Sequence, residues 1–263
     1  MPGNNGQNHG QQVSAFAAEQ RENREVGGPR GIGPAVSEFA RTRGETEPPV
    51  DFEDGVITVV KDEEGGVTQT FATFAEALAY ADDGDTLQVG AGVYEEAFDI
   101  DERLSIIGEE GAIVDGSGVA ATTGQQGTIE LFDGFSGGEI SGLTVVAVEG
   151  GQALLNPYGE ALEDVVLEGN VFDAGENTAG SLVYLNPNAD GVRIEGNRFE
   201  GLNLVDSPLL GIEGDNVEVI GNTFNSAAGG YAEVEVFDGA NGTSDDVTFT
   251  NNYSLPAEEI SWA

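Results

Sequence analysis

The sequence predicts an all-β solenoid, in which the chain winds through coils of similar length and buries apolar side chains between them. Four segments share one pattern of alternating apolar residues that ends in Gly-Asn or Asn-Asn, and they begin at Val165, Val192, Val217 and Val247. The segments recur every 25 to 30 residues. Periods of this size are typical of repeat architectures, in which each unit packs against its neighbours.

Within each segment, apolar residues alternate with outward-facing ones. In the first segment Val165 and Leu167 alternate with Val166 and Glu168, and the other three follow the same period of two. This period is that of a β-strand with one buried face. We therefore predict one strand per segment.

The asparagine that ends each strand is interpreted as a corner of the coil. Glycine and asparagine tolerate the left-handed backbone that a sharp bend needs, and an asparagine amide can bond to backbone groups. In register, such asparagines would stack about 4.8 Å apart as a ladder of amide bonds. We predict a purely structural ladder made of Asn170, Asn197, Asn222 and Asn252. We expect the rings of Phe172, Phe199 and Phe224 to stack inside it.

The front of the repeat region carries a helix signal. Phe74, Ala77, Leu78 and Ala81 fall on one helical face, which predicts an amphipathic helix near residues 73–81 that covers the first coil. From Asp85 onward the chain is long enough for about six coils at about 27 residues each.

The whole stretch "TFATFAEALAYADDGDTLQVGAGVYEEAFDIDERLSIIGEEGAIVDGSG", residues 70–118, resembles the opening of the pectate lyase-like right-handed parallel β-helix proteins, which include a carbohydrate-binding and sugar-hydrolase group. The resemblance implies that "FATFAEALAYA" caps the first coil, that "GDTLQVGAGVYEEAFDI" forms it, and that "LSIIGEEGAIVDG" begins the second. We therefore expect a single-stranded right-handed parallel β-helix with an N-terminal capping helix and an extended N-terminal arm. A shared fold does not identify the activity, because this fold carries many.

Charge divides the chain into two regions. Residues 1–43 contain five arginines and four glutamates, a net charge of +1. Because the whole chain has a net charge of −39, the other 220 residues carry −40. We predict an arm and linker over residues 1–49 and the β-helix over 50–263. Molar salt shortens the Debye length to about 3 Å and screens such a charge, so we expect a halophilic origin, in a haloarchaeon or one of its viruses.

The arm contains two similar stretches, "VSAFAAEQRE" and "VSEFARTRGE", each with Val, Phe and Ala at helical spacing. A solvated, disordered tail is one interpretation. The alternative hypothesis is that another protein chain covers the Val, Phe and Ala faces of the two stretches. The arm would then hold a homo-oligomer together or attach the protein to other virion or surface proteins. The proposed docking residues are Val13, Phe16, Ala17, Val36, Phe39 and Ala40.

Composition limits the partners and cofactors. Cysteine is absent and the one histidine, His9, lies in the arm, so we expect no cofactor and no metal site. The acidic body disfavours nucleic acid, and no apolar run reaches the roughly 20 residues of a membrane span. No secretory signal is visible, so we expect synthesis in the cytoplasm and a final place in a virion or, alternatively, in the cytoplasm.

No catalytic set emerges from the residues. After Lys61 the basic residues are Arg103, Arg193 and Arg198, and ion pairs on the surface explain the last two without a lyase role. Glu168 and Glu195 occupy the same repeat position in adjacent coils, as a hydrolase pair would require, but no aromatic platform for a sugar is evident near them. Glutamines near 124–127 match only a fragment of an esterase pattern. We assign no catalytic residue.

We expect a non-enzymatic structural or adhesion protein, namely a virion component such as a capsid decoration, turret or tail spike, attached through its arm and able to bind host glycans. The alternative is a carbohydrate-active enzyme or carbohydrate-binding module of the pectate lyase-like class. A cytoplasmic scaffold protein is a third, weaker interpretation.

Overall fold

A right-handed parallel β-helix forms the body of the protein in a computed structural model that describes residues 53–62, 66–119, 126–177, 180–202, 204, 207–226, 233–237 and 246–255. The expected fold class is therefore confirmed. The predicted docking residues of the arm, Val13 to Ala40, lie outside the described residues.

The N-terminal end of the solenoid is covered by two antiparallel strands and a helix, namely β1 (Ile57–Val60), β2 (Gln69–Phe71) and α1 (Phe74–Tyr80). Thr73 caps α1 by accepting a hydrogen bond from the Glu76 N–H at 3.2 Å. Phe74 and Ala77 of α1 are fully buried, so the helix closes the core at this end. The capping helix follows the predicted pattern, whereas β1 and β2 were not anticipated from the sequence.

Six successive sets of three strands follow among the described residues. They are β3 (Thr86–Val89), β4 (Gly92–Tyr94) and β5 (Phe98–Ile100); β6 (Ser105–Gly108), β7 (Ala112–Asp115) and β8 (Gly127–Leu131); β9 (Glu139–Ser141), β10 (Thr144–Val146) and β11 (Gln152–Leu155); β13 (Val166–Glu168), β14 (Val171–Asp173) and β15 (Val183–Leu185); β17 (Arg193–Glu195), β18 (Arg198–Gly201) and β19 (Leu210–Ile212); and β20 (Glu218–Ile220), β21 (Thr223–Ser226) and β22 (Val234–Val236). A 3-10 helix (Asp133–Phe135) and two short strands, β12 (Leu162–Glu163) and β16 (Ala189–Asp190), lie between sets. The described chain ends with β23 (Thr248–Thr250) and β24 (Tyr253–Leu255).

Corresponding strands pair in parallel to build three sheets along the solenoid axis. The first sheet runs from β3 through β6, β9, β13, β17 and β20 to β23, with β1 and β2 added at its edge. The second runs from β4 to β24, and the third from β5 to β22. Register is kept from coil to coil, so one row of fully buried side chains runs through the first sheet: Leu87, Ile106, Ile140, Leu167, Ile194 and Val219.

The predicted asparagine positions meet at the corner between the first and second sheets. The Asn170 amide donates to the Asn197 Oδ1 at 3.1 Å, Asn197 donates to Asn222 at 3.1 Å, and Asn222 donates to Asn252 at 3.0 Å. Each amide also donates to a backbone carbonyl of the preceding coil at 2.8 Å. Inside the corner, the Phe172, Phe199 and Phe224 rings stack with centroids 5.4 and 4.7 Å apart.

The residue before each ladder asparagine makes the bend in the left-handed region. Gly169, Gly196 and Gly221 have φ of 65°, 65° and 64°, and Asn251 has φ of 55° in the last coil. These are the two residue types that enter this region most readily, which explains the Gly-Asn and Asn-Asn signatures.

The C-terminal end differs from the N-terminal one in exposure. Phe249 continues the buried row of the first sheet but is 48% exposed, and Tyr253 is 64% exposed. Leu255, the last residue that the structure describes, is 37% exposed.

Candidate functional site

The outward face of the first sheet carries four glutamates and one arginine in two register rows, here called the glutamate face: Glu139, Glu168, Arg193, Glu195 and Glu218. The two sequence-predicted hydrolase candidates, Glu168 and Glu195, are register partners on β13 and β17. Arg193 donates to Glu195 at 2.6 and 2.9 Å and to Glu218 at 2.9 Å. Glu195 is therefore neutralised within the protein and is not a free carboxylate.

The Glu139 carboxyl on this face has a pKa well above its ordinary value. The pKa of its carboxyl is raised from 4.5 to about 7, chiefly by burial and then by the negative charge of Glu168, while a hydrogen bond with Ser141 acts in the opposite direction. Glu139 is therefore partly protonated near neutral pH. A carboxylic acid beside a carboxylate can support acid–base catalysis, but among the described residues none of the register neighbours of this pair is an aromatic residue that could hold a sugar.

Arg198 makes a separate and more exposed ion pair. It contacts Glu200 on the same strand, β18, with 54% of its own side chain exposed. Glu200 also accepts a hydrogen bond from Asn225 at 2.5 Å. This is the ordinary surface pairing expected from the sequence, and it offers no open site.

The third sheet carries a different arrangement, here called the tyrosine site: Tyr158, Tyr184 and Glu213. The Tyr184 hydroxyl donates to Glu213 Oε1 at 2.5 Å, and the Tyr158 hydroxyl donates to the same oxygen at 2.9 Å. The two hydroxyl oxygens are 2.8 Å apart, and the two ring centroids are 5.9 Å apart. Tyr158 is 68% exposed, so one large aromatic surface faces solvent although its hydroxyl is fixed.

Two different local structures position the rings. Tyr184 is the central residue of β15 and points outward from the third sheet, between the buried Val183 and Leu185. Tyr158 lies in a turn closed by the Glu160 N–H, which donates to the Pro157 carbonyl at 3.2 Å; Gly159 supplies the left-handed φ of 96°.

Buried asparagines fix that turn against the sheet. The Asn186 amide donates to the carbonyls of Pro157 and, at 2.9 Å, Glu160. The Asn156 amide donates to the Leu131 carbonyl at 3.0 Å. Both asparagines are fully buried, so the Tyr158 turn is anchored from beneath.

The Tyr184 hydroxyl keeps its proton. Burial raises the pKa of Tyr184 well above its ordinary value, and the hydrogen bonds to Glu213 and Tyr158 raise it further. Glu213, which directly follows β19, is itself held by its N–H, which donates to the Leu185 carbonyl at 2.9 Å. The site therefore offers preorganised rings around a single carboxylate rather than a reactive phenolate.

A repeated motif in the sequence marks this site. "LLNPY" at 154–158 and "YLNP" at 184–187 repeat a Leu-Asn-Pro motif, which places one tyrosine just after the motif and the other just before it. The two tyrosines meet because adjacent coils pair Leu155 with Tyr184. Glu213 lies 55 residues from Tyr158 and belongs to no repeat, so its approach to both rings was not predictable from spacing.

Neither a metal centre nor a membrane span is found in the part of the chain that the structure describes. No group of three or more histidine, cysteine or acidic side chains is arranged there to hold a metal ion. No helix there is long and apolar enough to cross a membrane.

The chain resembles two solved structures of carbohydrate-active proteins. One is described as a glycosyl hydrolase from Parabacteroides merdae ATCC 43184, with 16% identity over 64% of this chain and 81% of that one and a TM-score of 0.34. The other is the pectin methylesterase from Yersinia enterocolitica, with 11% identity over 70% of this chain and 90% of that one and a TM-score of 0.30. No protein-family model matches the sequence, and no curated protein matches it. The fold assignment rests on the strand pairing of this chain and not on these two likenesses.

Proposed function

We propose that the protein binds carbohydrate on the outward face of its third sheet. The observation that carries this proposal is the tyrosine site, in which two aromatic rings are held by hydrogen bonds from their hydroxyls to Glu213. Sugar rings present apolar C–H faces that pack on aromatic rings, while their hydroxyls need polar partners at the edge. The tyrosine site supplies both. This corresponds to the alternative drawn from the sequence, a carbohydrate-binding module of the pectate lyase-like class.

Fixed rings favour binding because little side-chain freedom is lost when the ligand docks. A tyrosine has two side-chain torsions, and here the hydroxyl bond restricts both rings before any ligand arrives. The buried asparagines under the turn have the same effect on the Tyr158 backbone. The protein thus has a preformed site on a rigid sheet.

The experiment is a glycan-binding screen by isothermal titration calorimetry with the full chain and its single variants Tyr158→Ala and Tyr184→Ala. We expect each variant to lose at least tenfold in affinity for any glycan that the parent protein binds, because each removes a stacking surface. Tyr253→Ala is the matched control, since Tyr253 is 64% exposed but lies on the second sheet. Equal losses in all three variants, or undiminished binding by the Tyr158 and Tyr184 variants, would contradict the proposal.

The role of the arm remains a prediction from the sequence. Docking through Val13 to Ala40, assembly into a homo-oligomer or onto a virion, and a halophilic origin concern residues or properties that the described structure does not address. Light scattering in molar KCl, on the full chain and on a chain starting near residue 50, tests the arm directly. An oligomer that becomes a monomer on truncation is the expected result.

A further inference from the structure

The aromatic surface extends beyond the tyrosine site along the solenoid axis. The outward row of the third sheet pairs Tyr184 with Gly211, and Gly211 with Glu235. A side-chain carbon built at Gly211 would lie 3.1 Å from Tyr184 Cδ2 and 3.3 Å from Phe237 Cε2. Both rings therefore reach over this glycine, Tyr184 from one coil before it and Phe237 from one coil after it.

These three rings are here called the aromatic row: Tyr158, Tyr184 and Phe237, with Gly211 between the last two. The three rings and Gly211 come from four successive coils, so the row runs across the strands, parallel to the axis. At about 4.8 Å per strand it spans about 14 Å. A row of that length suits an extended oligosaccharide rather than a single sugar.

The charges around the aromatic row are all negative. Glu213 lies under its two tyrosine hydroxyls and Glu235 lies beside Phe237. Asp99 stands further along the same register row, beyond Leu155 and the buried Glu130. The four basic residues of the described chain lie elsewhere, with Arg193 on the first sheet, Arg198 on the second, and Lys61 and Arg103 outside the third. An acidic sugar placed on this row would meet carboxylates and no cation.

We propose that the ligand is a linear, uncharged glycan that lies along the aromatic row, and that the surrounding carboxylates exclude acidic polysaccharides. This inference rests on the proposed function and narrows it to a substrate class. Like charges brought together at a partly desolvated surface weaken binding and discriminate between ligands that are otherwise alike.

The test uses a matched pair of ligands, hexagalacturonate and its fully methyl-esterified form, which share a backbone and differ in charge. Cellohexaose and xylohexaose serve as further uncharged probes. Titrations use the full chain at 0.5 M and 2 M KCl, with circular dichroism confirming the fold in each buffer. We expect at least one uncharged probe to bind at least tenfold more tightly than hexagalacturonate at 0.5 M KCl, with a smaller ratio at 2 M because salt screens the repulsion.

Variants separate this inference from the proposed function. Glu213→Gln should reduce the ratio of the affinity for the uncharged probes to the affinity for hexagalacturonate. Glu200→Gln, on the second sheet, should leave this ratio unchanged. Hexagalacturonate binding as tightly as the uncharged probes, and still depending on Tyr158 and Tyr184, would overturn the inference while leaving the carbohydrate site intact. Absence of binding by every probe, or binding independent of both tyrosines, would overturn the proposed function and the inference with it.

Discussion

The glutamate face and the tyrosine site both lie on the outside of the same solenoid, yet they use their carboxylates in opposite ways. On the glutamate face, Arg193 binds Glu195 and Glu218 within the protein, so these charges are satisfied before any ligand arrives. In the tyrosine site, Glu213 is bound by two neutral hydroxyls, and the ring of Tyr158 stays exposed. The repeat thus supplies equivalent positions, and the choice of partner for each carboxylate decides whether the position supports structure or recognition.

The largest expected effect is a loss of stability when the cation of the glutamate face is removed. Arg193→Met should lower the free energy of unfolding by about 3–5 kcal/mol, because it leaves two poorly exposed carboxylates without their cation. Urea denaturation at fixed KCl measures the change. Arg198→Met is the matched control and should cost less than about 1 kcal/mol, since its ion pair is exposed. Similar losses in both variants would show that Arg193 has no special role.

A smaller effect is expected from the pH dependence of the same face. The carboxyl of Glu139 has a pKa of about 7 in the folded protein and about 4.5 when unfolded, so the folded state binds more protons between these values. Stability should therefore fall as pH rises from 4.5 to 7, by about 2–3 kcal/mol for this group.

Glu139→Gln tests this directly, because the amide cannot titrate. The variant should be more stable than the parent protein above pH 7 and should lack that part of the decline, as measured by denaturation at a series of pH values. Glu200→Gln removes the same charge from the second sheet and should retain the decline. An unchanged pH profile in Glu139→Gln would rule out Glu139 as its source.

The smallest expected effect is on the stability of the tyrosine site. Tyr184→Phe removes a hydrogen bond to a carboxylate and should cost about 1–2 kcal/mol, whereas Tyr158→Phe, at a more exposed position, should cost about 1 kcal/mol or less. Thermal unfolding of the two variants side by side measures the difference. Losses as large as that of Arg193→Met would mean that the tyrosine site is a structural element of the same kind as the glutamate face.

The regular parts of the fold were predictable because the same sequence pattern recurs in several segments. The alternation around Leu167 and the Gly-Asn corners are local patterns, and the strands and bends follow from them. The antiparallel strand β1 was missed because it occurs once and has no repeat to compare with. The tyrosine site was missed for a related reason: Glu213 reaches two tyrosines only through the stacking of coils, and that contact has no signature in any single segment.

The asparagine ladder has a consequence for how such a chain can change in length over evolutionary time. Each ladder amide bonds to the next coil through the same atoms, so a duplicated segment that runs from one ladder asparagine to the next brings its own donor and acceptor. A gene duplication of that unit would extend the solenoid without a mismatch, whereas an insertion of half a coil would leave a buried amide unpaired. The corner therefore favours growth in whole coils, and each added coil offers another outward position at which a new binding residue can arise.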